Sequence, residues 1–247
     1  MIYYQLGKNV DPKVVGVSHG AGQLKVSNTF NELNKWHYEI FHQKPQESWK
    51  NWAKYELYAP KTLVGLILEE GAKLTDFIDD GLRGFFVNDR LKAILEEAHL
   101  PNHKFLPTIF TKEKTGQPVE GYWHFVYDME TGENTVNFSQ SEYNLKYHKQ
   151  KFGEDFTVSI NTYQDYMNVF YQTGRAIATS LLVFNSSFDQ ELDIFGTQFL
   201  STQKAYISER LFKRWQEANI TGYIARLPAE SRLRAERLGL NHCELVF

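Results

Sequence analysis

The groups in this 247-residue chain that could do chemistry are eight histidines, one cysteine and thirty acidic side chains. Their spacing decides what chemistry is open to them. His37 and His42 stand five apart, on different faces of a helix, which suits no metal. His124 lies inside a strand between Trp123 and Phe125, and His103 and His148 read as isolated residues in polar loops. Cys243 has His242 beside it but no evident third group to orient a thiolate pair, and it cannot form an internal disulfide. Ser18-His19-Gly20-Ala21-Gly22 lacks the third glycine of a dinucleotide fingerprint and the Lys-Ser/Thr of a phosphate loop, so it reads as a plain turn. These residues predict no catalytic group, no metal and no cofactor.

The acidic residues are more informative. Asp76, Asp79 and Asp80 fall in the loop from Gly71 to Gly84, and Asp189, Glu191 and Asp193 fall in a second loop. Paired carboxylates can do general acid/base work or hold a divalent cation. Their ordinary role is solvation and turn formation. A third role faces a partner, because an acidic rim steers a basic protein and covers its cleft. Asp76 and Asp193 have apolar neighbours at matched positions and are expected to be structural. Asp79, Asp80, Asp189 and the turn residues Glu130 and Glu133 are expected to be exposed, and they are the candidate partner-binding residues. Trp49, Trp52 and Tyr55 recur at helical spacing, which suits core packing or, if exposed, an interface anchor.

The elements that must position these residues read as α+β, with mixed sheets and packed helices. Strands are predicted over Ile2 to Leu6, Leu63 to Leu68, Phe85 to Val87, Phe105 to Phe110, Leu181 to Phe184, Tyr206-Ile207 and Tyr223 to Ala225. Tyr122 to Tyr127 and Thr135 to Phe138 are predicted to pair as a hairpin through the Met129–Asn134 turn. Helices are predicted over Asn31 to Trp36, Gln46 to Tyr55, Asn161 to Ala178 and Ser231 to Leu238. The clearest helix starts at Asn88: an N-cap, then Asp89 where a negative charge suits the dipole, then Leu91, Ile94, Leu95 and Ala98 on one face. Pro101 ends it. A second such helix has Ser208 as cap, Glu209 as first-turn acid and an apolar face of Leu211, Trp215 and Ala218, with Gly222 expected as its left-handed cap.

These two helices belong to a longer match. Phe86-Val87-Asn88-Asp89-Arg90-Leu91 aligns with Tyr206-Ile207-Ser208-Glu209-Arg210-Leu211, 120 residues on. Asp76-Phe77-Ile78 aligns with Asp193-Ile194-Phe195 at an offset of 117, and Tyr3-Tyr4-Gln5-Leu6 with Tyr122-Trp123-His124-Phe125 at 119. Three blocks in the same order predict an internal duplication, with halves at 1–118 and 119–247 packed into one globule. Duplication in turn predicts a monomer when free.

The second copy, Asp193-Ile194-Phe195 through Gln203 to Leu211 and on to Ala218-Asn219-Ile220-Thr221-Gly222-Tyr223, resembles the C-terminal signature of an immunity-protein family of bacterial polymorphic toxin systems. Val136-Asn137-Phe138-Ser139-Gln140-Ser141-Glu142-Tyr143 resembles an earlier strand pair of that pattern. The resemblance implies a protein that binds and blocks a cognate toxin, and it carries over no catalytic residue. Composition is compatible: 42% hydrophobic, 23% charged, net charge −3. That balance predicts no nucleic-acid partner. No basic cluster or long apolar run predicts membrane attachment or a secretory signal, so a cytosolic home is expected. An enzyme using the acidic-loop carboxylates, and an interaction scaffold with no toxin, remain the alternatives.

Overall fold

A computed structural model describes residues 1–18, 21–35, 53–79, 82–174, 176–197, 205–227 and 243–247. In chain order its elements are β1 (Tyr3–Lys8), α1 (Pro12–Val15), β2 (Leu24–Val26), α2 (Asn28–Leu33), α3 (Tyr55–Tyr58), β3 (Leu66–Leu68), β4 (Phe77–Ile78) and β5 (Phe85–Asn88). Then come α4 (Asp89–Glu96), β6 (His103–Lys112), β7 (Pro118–Tyr127), β8 (Glu142–Asn144), α5 (Lys146–Phe152), α6 (Tyr163–Thr173) and β9 (Ala178–Val183). β10 (Ile194–Gly196), β11 (Ala205–Ser208), α7 (Glu209–Glu217), β12 (Tyr223–Arg226) and β13 (Glu244–Val246) complete the order. The fold is mixed α/β, mostly strands with some helices, and its sheets hold both parallel and antiparallel pairs. Among the described residues no helix is long and apolar enough to cross a membrane.

The chain divides into two compact units that interleave in sequence. The first contains Met1–Gln5, Met129–Glu209 and Arg226–Phe247, and the second Leu6–Asp128 and Arg210–Ala225. The second unit is built on a six-stranded sheet ordered β2-β3-β6-β7-β5-β4. Successive side chains of a strand point to opposite faces, so Phe85 and Phe86 serve two different layers. Phe86 packs with Leu66, Leu68, Ile78, Phe110 and Tyr122 on one face. Phe85 meets Phe77 and Phe125 on the other, at ring separations of 4.7 and 5.2 Å. Phe77 also meets Trp215 of α7, at 6.1 Å. Leu91, Leu95 and Trp215 are fully buried, each contributing roughly 1.5–3 kcal/mol of apolar burial.

In the first unit β10, β11 and the start of β1 form one antiparallel ribbon, and β13, β9 and β8 form another sheet. Its core is aromatic: Tyr3, Phe184, Phe188, Phe195, Tyr206 and Phe247 interlock at ring separations of 4.2 to 5.8 Å along the chain of contacts. Much of the chain's high aromatic content is therefore spent inside. α6 starts with a capping box, Thr162 and Asp165 each accepting from the other's backbone N–H, and buries Tyr166, Met167, Val169 and Phe170.

Several expected elements differ. The segment after Tyr127 does not return as a hairpin strand. β7 pairs instead with β6 through the turn at 113–117 and with β5 on its other side. Of Thr135 to Phe138 only Val136 makes a bridge, to Phe184. The helix expected to reach Ala178 stops at Thr173, because Gly174 (φ +68) turns the chain into β9. The strand expected from Leu63 begins at Leu66, after a turn. The helix expected from Asn31 begins at Asn28, where the Ser27 side chain accepts from Phe30 N. His148 is not in a loop. It is 1% exposed within α5, its ring stacked on Phe152 and Phe156. Of the helix expected over Gln46 to Tyr55, positions 46–52 with Trp49 and Trp52 lie outside the described residues, and a helix begins only at Tyr55, after an extended Lys54. Trp36, His37, His42, the loop positions His19 and Gly20, His242 and the tail helix at 231–238 also lie outside the described residues.

Candidate functional site

Each of the two aligned blocks is built around a carboxylate that holds a helix cap. In the second unit β4 pairs with β5 as Phe77↔Val87 and Ile78↔Phe86, and β5 pairs with β7 as Phe86↔His124, Val87↔Trp123 and Asn88↔Tyr122. In the first unit β10 pairs with β11 as Ile194↔Ile207 and Phe195↔Tyr206, and β11 pairs with β1 as Tyr206↔Gln5, Ile207↔Tyr4 and Ser208↔Tyr3. The residues that align in sequence thus occupy the same registers. Asn88 N donates to Asp76 O at 3.1 Å and Ser208 N to Asp193 O at 2.9 Å. The cap side chains repeat the match: Asn88 Nδ2 donates to Asp76 Oδ1 at 2.8 Å, and Ser208 Oγ donates to Asp193 Oδ1.

Asp76 is 5% exposed. It also receives Arg90 Nε at 3.0 Å and Nη2 at 2.7 Å, and Thr221 N and Oγ1 at 2.7 Å each. Burial alone would push its carboxyl upward, but the hydrogen bonds from Arg90, Thr221 and Asn88 outweigh it and hold the group below the usual carboxylate range. Arg90 reaches on to the two carbonyls just past the end of α7, Ala218 O at 3.1 Å and Asn219 O at 3.2 Å, where a cation suits the helix dipole. Asp76 and Asp193 are structural, as their apolar neighbours predicted. Thr221 stands beside Gly222 in the Thr-Gly pair that follows α7. Its role as a donor to Asp76 is invisible locally because the two lie 145 residues apart.

The left-handed residue that closes α7 is Asn219 (φ +51), not Gly222. Ile220 N bonds to Trp215 O and Asn219 N to Gln216 O, both at 2.9 Å, the two bonds of a Schellman closure. Asparagine tolerates this conformation. Gly222 (φ +94) serves close approach instead, since a Cβ there would lie 2.1 Å from Phe77 O.

The candidate partner-binding acids take different places. Glu133 and Asp189 are exposed, Glu130 and Asp79 are half-buried where exposure was expected, and Asp80 lies outside the described residues. Glu130 Oε1 accepts from Gly132 N and Thr135 Oγ1, both at 2.7 Å, so it braces its own loop. Its backbone N–H donates to Gly196 O at 2.7 Å, tying that loop to β10. Asn185 ties the 134–135 segment to the second acidic loop, donating through N to Thr135 O at 2.8 Å and through Nδ2 to Asn134 O at 3.0 Å. Glu133, Asp189 and the exposed Glu191 therefore sit on joined loops of the first unit. Burial first, and then the Glu133 charge and Tyr171, push the Tyr163 phenol up to about 12. Asp79 belongs to the second unit, where burial, Tyr58 and the Asp79 charge together raise the Tyr127 phenol. Among the described residues no three His, Cys, Asp or Glu side chains gather as metal ligands would.

The chain matches no protein-family model and no curated protein.

Proposed function

We propose that this chain is an immunity protein that neutralises a cognate bacterial toxin in the cytosol by stoichiometric protein–protein binding. The observation that carries the reading is the division of labour among its acids. The signature residues Asp193, Ser208 and Thr221, with Asp76 and Asn88 of the matching block, are spent on the fold. Exposed carboxylates gather separately, on the joined loops bearing Glu133 and Asp189. Such a rim suits a basic partner, since complementary charge speeds encounter and disfavours wrong partners. We infer in addition that the two cap-and-hairpin blocks descend from one duplicated unit, supported by their aligned sequences and equal registers.

Co-expression with the product of the neighbouring toxin gene, followed by size-exclusion chromatography and a growth assay, tests the reading. A 1:1 complex that restores growth is expected. Glu133→Lys with Asp189→Lys is expected to slow association at least tenfold, and Glu133→Gln with Asp189→Asn, which keeps an acceptor for Glu191 N, to slow it less without lowering the melting temperature. No complex and no rescue would return the weight to an enzyme or a scaffold.

A further inference from the structure

The first unit holds the start of β1 as it would hold a separate peptide. Met1–Gln5 belongs to that unit, and the next residue, Leu6, belongs to the second. Tyr3, Tyr4 and Gln5 pair with Ser208, Ile207 and Tyr206, and Glu209 N donates to Ile2 O at 2.9 Å. Tyr3 is the anchor. It is 3% exposed, its ring lies 5.0 Å from those of Phe195 and Phe247, and its hydroxyl lies 2.9 Å from Gln190 O and from Leu192 O. Gln190 is the nearest of these partners in sequence, and it stands 187 residues from Tyr3. Only the covalent link at Leu6 therefore makes the segment this copy's own. The same segment of a second copy offers the slot identical contacts.

The chain just beyond supplies a hinge. Gly7 lies inside β1, where glycine weakens a strand. Gly16, Gly65, Gly84 and Gly222 each combine a positive φ with an atom no more than 2.3 Å from where a Cβ would stand. Gly7 has neither reason: its φ is not left-handed, and a Cβ there would meet nothing within 4 Å. What glycine contributes at this position is backbone freedom.

We propose that the segment ahead of Gly7 is exchangeable, so that two copies of this chain form a dimer in which each segment completes the other copy's first unit. Leu6, 4% exposed, moves with it into the equivalent site of the other copy. A tethered segment meets its own slot at an effective concentration on the order of millimolar. The monomer therefore dominates in dilute solution, and exchange needs concentrated chains that fold together.

Refolding the full chain from urea at rising concentration, read by size-exclusion chromatography with light scattering, tests this. A dimer whose share grows with concentration is expected. An excess of the peptide Met-Ile-Tyr-Tyr-Gln-Leu during refolding should fill the slot and cut the dimer at least fivefold. The same peptide with alanine in place of its first tyrosine should not. Gly7→Val, whose side chain has room, should also cut the dimer at least fivefold without lowering the melting temperature of the monomer. If Gly7→Val melts early, Gly7→Ala takes its place. Absence of a dimer at every concentration, a dimer that the peptide leaves untouched, or one that the glycine substitution leaves untouched overturns the proposal.

Discussion

The Asp76 carboxylate accepts five hydrogen bonds, from Asn88 Nδ2, Arg90 Nε and Nη2, and Thr221 N and Oγ1. Asp76→Asn turns one acceptor oxygen into a donor that faces other donors. The expected loss is ~2–4 kcal/mol at pH 7, read from urea denaturation. The sign of its pH dependence follows from the direction of the shift. A carboxyl held below its ordinary value contributes stability that is present above the unfolded pKa and is lost as pH falls through the folded one. The native chain should therefore lose stability below the ordinary Asp value of 3.8, and Asp76→Asn should flatten that acid limb. Asn88 caps α4 by accepting from Leu91 N at 3.0 Å and also donates to Asp76. Asn88→Ala should cost ~1–2 kcal/mol. Asn88→Ser should cost less than half as much, since a serine at 208 makes the matching bond to Asp193. Equal losses for the two variants would count against equivalence of the caps.

At the scale of elements, α7 ends on a single strained position. Asn219→Ala keeps the left-handed backbone but loses asparagine's tolerance for it, and should destabilise by ~1 kcal/mol, seen as a lower melting temperature. The start of α4 was legible because a cap, a first-turn acid and the spacing of Leu91 and Leu95 are local signals that tertiary structure kept. The end of α7 was misread because two left-handed residues lie three apart, and the glycine that drew the reading serves the close approach of Phe77 while Asn219 makes the closing bond. The misplaced hairpin has the same origin. Both the Glu113–Gln117 segment and the Met129–Asn134 segment contain Thr-Gly, and turn chemistry cannot say which one closes a ladder. The long alternation of β6, with Thr108 and Phe110 buried and Ile109 exposed, was the signal for its pairing with β7. His148 was recoverable too, from its four-residue spacing to Phe152. Of the candidate acids, exposure was legible at Glu133 and Asp189 but not at Asp79, nor at Glu130, whose hydrogen bonds to Gly132 and Thr135 depend on how the loop closes.

At the scale of the molecule, the strand that completes each cap-and-hairpin block comes from the other sequence half. β7 lies beside β5, and the start of β1 lies beside β11. Removing residues 1–5 should therefore leave protection from amide exchange intact at 85–88 and at Ser208, whose N–H donates to Asp193 O, and abolish it at Glu209, whose N–H donates to Ile2 O. The same arrangement has a consequence during synthesis. Tyr3 is opposite Ser208, and at ~5–20 residues per second a ribosome needs roughly 10–40 s to deliver the second after the first. Throughout that interval the β1 segment Tyr3-Tyr4-Gln5, whose Tyr3 is buried in the finished fold, is an unclaimed strand. The nascent chain must be kept from closing on the wrong edge until its true partner emerges.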